Sequence, residues 1–113
     1  MLETLIAAKQ LIEDEKNWCQ GVRAQDAEGW MTEPYESSAC RFCAIGAIQK
    51  VKDCRDNIHI YECSEVQLLD SLVVKNDPSF HAIYQINDTR GHKAVIEFFD
   101  KAIQQLKERE VLC

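Results

Sequence analysis

The stretch Cys40–Val51, CRFCAIGAIQKV, decides how the chain is read. At about 100° per residue, Cys40, Cys43, Ala44, Ala47, Ile48 and Val51 fall on one broad face. Phe42 and Ile45 cover much of the other side. A helix that is apolar nearly all round must pack against several neighbours at once. The spacing therefore predicts a central helix over 39–51, kept thin by Gly46 and the alanines so that neighbours approach closely. Ser37 or Ser38 is placed to cap its N-terminus. The same stretch holds a C-x-x-C, so the core and the candidate chemistry overlap.

Working outward, Leu2 to about Lys16 reads as an amphipathic first helix, with Leu2, Leu5, Ile6, Ala8 and Ile12 on one side. The segment after it breaks the helical period. Gly21 and Gly29 punctuate it, and Asp26–Gly29 reads as the turn of a short irregular hairpin. Trp18 and Trp30 suggest that this piece folds back onto the core. Beyond Val51, Ile58–Tyr61 reads as extended, and Ser64 caps a third helix running to about Lys75. Ser79–Ile86 forms a short helix or turn, and 87–91 a loop in which Asp88 or Thr89 caps the last helix. That helix, about His92 to Arg109, carries Val95, Phe98, Phe99, Ala102, Ile103 and Leu106 as its inner stripe. The expected fold is all-α: one compact domain, 1–113, of four to five helices around the central one.

Composition narrows the function. A chain of 113 residues with net charge −6 lacks the basic face that nonspecific nucleic-acid binding requires, so no direct nucleic-acid contact is expected. No apolar run approaches the ~20 residues of a membrane span, and the charged start does not resemble a signal peptide. A cytoplasmic setting is expected, in which the six cysteines are reduced. Cys113 could then form an intermolecular disulfide on oxidation, as a handling artefact.

Three constellations carry possible chemistry. In the Cys40–Cys43 pair the dipole at a helix N-terminus could lower a thiol pKa and make Cys40 a reactive thiolate, or else both are small buried residues. Cys40, Cys43, Cys54, His59 and Cys63 could assemble tetrahedral zinc, although the C-x-x-C lies in a helix-forming run instead of a tight turn. Cys43 or Cys19 could act as a nucleophile with His81 or His92, oriented by Asp88 or Asn87. A fourth grouping, Trp18, Gln20 and Gly21 with Asn87, Asp88 and Arg90, puts polar groups beside aromatics at helix ends. It reads as a binding corner or as loop anchoring.

The order Trp18-x-Gln20-Gly21, Asp26-Ala-x-Gly29, Ala39-x-x-x-Cys43-Ala-x-Gly46-Ala, Asn87-Asp88, Val95-Ile and Asp100-x-Ala-Ile resembles a small bacterial and phage family known only as a domain of unknown function. That family more often has an aromatic before Asn-Asp, where this chain has Ile86. The resemblance implies one small domain in which Cys43 is the characteristic thiol, and it brings no activity, cofactor or catalytic assignment. The expectation is an acidic protein-binding domain, without cofactor, acting on a protein partner; the resemblance points to a host or defence protein. The rival readings are a small enzyme or ligand-binding domain with its site at Trp18, Gln20, Cys43, Asn87 and Asp88, and a zinc-stabilised scaffold.

Overall fold

The structure is a computed structural model that describes the backbone over residues 1–112 and the side chains over 1–109. The expected Cys113 disulfide lies outside the described residues. Five helices, α1 (Leu2–Ile12), α2 (Ala44–Lys52), α3 (Ser64–Asn76), α4 (Ile83–Thr89) and α5 (His92–Leu112), carry most of the chain. Two short strands, β1 (Ala24–Gln25) and β2 (Arg41–Phe42), pair antiparallel with Ala24 opposite Phe42. The fold is thus mostly α, with a small sheet added.

The central helix is α2. It packs against α1, α3 and α4, and Ala44 to Gln49 are buried without interruption. It begins later than the expected 39–51, because Arg41 and Phe42 are extended and paired to β1. Cys43 is the N-cap, with φ −80° and ψ 178°, and its Sγ accepts from Gly46 N–H at 3.3 Å. Ser37 and Ser38 are exposed and do not cap the helix. The close neighbour at Gly46 is backbone, not another helix: a Cβ there would lie 1.9 Å from the Arg23 carbonyl oxygen. That carbonyl also accepts from Cys43 N–H at 3.1 Å, so the segment entering β1 is pressed onto the first turn of α2.

α1 stops at Ile12, before its charged tail, which instead forms a 3-10 turn at Glu15–Asn17 capped by Asp14. The hairpin turn at Asp26–Gly29 forms as read: Asp26 N–H donates to Trp30 O at 2.9 Å, and Asp26 Oδ1 accepts from the N–H groups of Glu28 and Trp30. Trp18 is half-buried, as expected, whereas Trp30 is 73% exposed. The turn uses only the Trp30 backbone, which leaves its indole outside the core.

Ile58–Tyr61 is not extended. Asp56 Oδ1 accepts from Ile58 and His59 N–H and starts a 3-10 turn at His59–Glu62. α3 starts at Ser64 with Cys63 in the cap position. Lys52 Nζ meets Glu65 Oε1 at 2.9 Å and joins α2 to α3. Burial would raise the Glu65 carboxyl, but the Lys52 ammonium, the backbone N–H and the Ser64 hydroxyl together hold it below its usual range.

The largest departure lies at 87–91. Asp70 Oδ1 accepts from Ile83 N–H at 2.8 Å, and Gln85 Oε1 accepts from His81 and Ala82 N–H. These side chains supply partners for donors at the start of α4, which runs on to Thr89. Asn87 and Asp88 are therefore helical, and neither Asp88 nor Thr89 caps α5. The α5 stripe is buried as its spacing predicts. α5 packs across α1, α3 and α4.

Candidate functional site

α4 turns Asn87 inward, where it is 1% exposed. Its Oδ1 accepts from Trp18 Nε1–H at 2.8 Å and from Ala44 N–H at 3.0 Å. Its Nδ2 donates to Cys19 O at 3.0 Å and Asp88 Oδ1 at 3.1 Å. An amide side chain offers two donors and two main acceptor directions, and all are occupied. The Asn87 carbonyl accepts from Gln20 Nε2 at 3.1 Å, and Asp88 Oδ1 accepts from Gly21 N–H at 2.9 Å. Gly21 has φ +81°, a conformation that glycine adopts without a Cβ penalty. One asparagine thus ties the 18–21 segment, the N-terminus of α2 and α4 into a clasp.

The structure brings Trp18, Gln20, Gly21, Cys43, Asn87 and Asp88 together. Arg90 lies apart from them: it pairs with Asp77 through Nε at 3.0 Å and stacks over Phe80. His92 packs its ring on Trp18 at 5.4 Å, and its Nε2 donates to the Ile12 carbonyl at 2.6 Å. That bond ties the ring to the end of α1, so His92 sits between α1 and the clasp.

The thiols are the opposite of activated. Burial pushes Cys43 up to about 11, even though it accepts the Gly46 N–H that would favour a thiolate. Burial pushes Cys19 up to about 12, with the neighbouring Cys43 and Asp88 adding to the effect. Cys40, expected at a helix N-terminus, is exposed beside β2 with its N–H donated to Gln25 O.

The zinc candidates are not assembled, for no group of three metal-ligating side chains converges among the described residues. Cys54 points its thiol at Asp56 O. His59 is paired to Asp56; that hydrogen bond and charge raise the imidazole pKa, while His59 holds Asp56 down to about 2.

Beside the clasp lies a cleft of about 240 Å³. Val22, Cys43 and Ile45 give it an apolar wall, and Tyr61 and Tyr84 are its exposed aromatics. Gly21, Arg23, Asn87 and Asp88 form its polar side. Arg23 is committed elsewhere, to Glu33 Oε2 at 3.2 Å and to the Asn57 carbonyl. Asn57 links onward to Glu33 and to the buried Gln49. Tyr61 and Arg23 escaped the sequence reading, whereas Tyr84 is one of the aromatics it placed beside the polar corner. Only the start of a helix at Ile83, which puts Tyr84 and Asp88 four apart, would have signalled that they share a face.

No helix among the described residues is long and apolar enough to cross a membrane. No curated protein and no solved structure matches the chain. A family of unknown function, DUF6197, matches over residues 1–105. With the match spanning the clasp and every helix up to most of α5, the chain belongs to that family.

Proposed function

We propose that this is a cytoplasmic, non-catalytic binding domain that docks a basic protein through its hairpin. The observation that carries the reading is the pair Trp30 and Met31, each 73% exposed at the end of the Asp26 turn. Tryptophan is enriched among the residues that dominate protein interfaces, and methionine adapts to varied partners. The same stretch carries Asp26, Glu28, Glu33 and Glu36, and the whole chain has net charge −6, so the complementary surface is basic. Two observations favour binding over catalysis: Asn87 has no free hydrogen-bonding capacity, and burial keeps the Cys19 and Cys43 thiols protonated. Thiols used as core residues suit a reducing compartment. A host or defence protein is the kind of target that the family resemblance suggests.

The test is affinity capture from a lysate of the source cells, using wild type and a Trp30→Ser/Met31→Ser variant as baits. Both substitutions are at exposed sites, so the variant should fold with stability within about 0.5 kcal/mol of wild type. The expected result is a basic protein retained by wild type, lost with the variant and weakened by salt. Identical retention by both baits, or no protein that depends on Trp30, contradicts the reading.

A further inference from the structure

The cleft beside the clasp has one unsatisfied preference. Asp88 Oδ1 accepts from two neutral donors, Gly21 N–H and Asn87 Nδ2. Asp88 is exposed, and it is absent from the ion pairs formed among the described residues. The one cationic side chain in the cleft, Arg23, already pairs with Glu33. The cleft therefore presents an unmatched carboxylate beside the apolar Val22 and Ile45 and two open tyrosine rings, Tyr61 and Tyr84. Aromatic faces and a carboxylate together attract a cation that also has an apolar stem.

Size limits the ligand further. A cavity of about 150 Å³ admits a benzene-sized molecule, and drug-sized ligands occupy roughly 300–1,000 Å³. At about 240 Å³ this cleft matches one amine-bearing chain. We propose that the cleft is a binding site for a single alkylammonium or guanidinium group of the size of a lysine or arginine side chain. The site is independent of the hairpin and stands if the docking reading fails.

Amide-resolved NMR titration of the full chain tests this, with butylamine, N-acetyl-lysine amide and N-acetyl-arginine amide as probes and butanol and butyrate as controls. The cations should give saturable, millimolar shifts at Gly21, Tyr84 and Asp88, and the controls should not. Response to butylamine assigns a free amine as a sufficient ligand, whereas response to the blocked amino acids alone assigns a side chain of a peptide. Either outcome supports the site. Asp88→Asn keeps an oxygen for Gly21 and Asn87 while removing the charge, and it should weaken binding about tenfold or more. Tyr84→Leu, at an exposed ring, should weaken it as well. Butanol binding as tightly as butylamine, full affinity in both variants, or no saturable shift with any cation would overturn the proposal.

Discussion

Gly46→Ala is expected to lower the melting temperature by about 10 °C or more, although alanine is the better helix former by about 1 kcal/mol. The added Cβ would sit 1.9 Å from the Arg23 carbonyl oxygen and 2.8 Å from its carbon. Both are main-chain atoms, so no side-chain rotation relieves the overlap. The segment entering β1 has to move off α2. That movement strains the Cys43 N–H to Arg23 O bond and the adjacent pairing of Ala24 with Phe42. Overpacking of this kind costs about 3 kcal/mol or more once backbone must shift, which exceeds the propensity gain. Domains of this kind have roughly 5–15 kcal/mol of stability in all, so the variant should fold but melt early. Thermal and urea melts would check it, and a variant as stable as wild type would show that β1 does not press on α2 as described.

Asn87→Leu should cost about 3–5 kcal/mol, for a different reason. The leucine side chain is of similar size, so the loss is polar. Ala44 N–H and the Cys19 carbonyl lose their partner in the buried interior, and the Trp18 indole N–H loses its own. A buried group left without a partner costs about 1–3 kcal/mol, and three are orphaned together. Asn87→Asp adds a pH signature. It keeps the acceptor for Trp18 and Ala44 but turns an oxygen towards the Cys19 carbonyl and Asp88, where a donor had been. Burial and Asp88 would raise the new carboxyl's pKa in the folded state above its unfolded value. Its contribution to stability is therefore greatest below the unfolded pKa and is lost as pH rises through the folded one. The aspartate variant should thus be closest to wild type in acid. Equal deficits for Asn87→Asp in acid and at neutral pH would contradict a donor role for Nδ2.

How much of this was legible in the sequence depended on which residues paired locally. The α5 stripe comes from periodicity alone and is buried where the spacing puts it. On the face read for the central helix, Cys43, Ala44, Ala47 and Ile48 are buried, whereas Cys40 is exposed and Val51 half-buried. The start of α2 did not follow from the spacing, because Arg41 and Phe42 have helical periodicity but are claimed by β1, a partner sixteen or more residues away in the chain. The nature of the Asn87-Asp88 corner was hidden for the same reason. Asn and Asp commonly mark loops, yet here α4 is capped by Asp70 and Gln85, and its polar pair is used to hold residues 18–21. The convergence of Trp18, Gln20, Cys43, Asn87 and Asp88 could be anticipated from motif order, but their joint role could not. Only the geometry shows one amide with every hydrogen-bonding position filled.

That geometry fits a structural clasp, and the proposed reading puts binding at the hairpin and the cleft, with Cys43 as a packing residue. Native-state alkylation with iodoacetamide, mapped residue by residue, tests this most directly. With a pKa of about 11, Cys43 carries roughly one thiolate in 10⁴ molecules at pH 7, and it is buried as well. The account predicts that exposed Cys40 reacts before the other described cysteines and that Cys43 and Cys19 react only as fast as the fold opens. Selective, fast modification of Cys43 in the folded protein would contradict it and favour the enzyme reading.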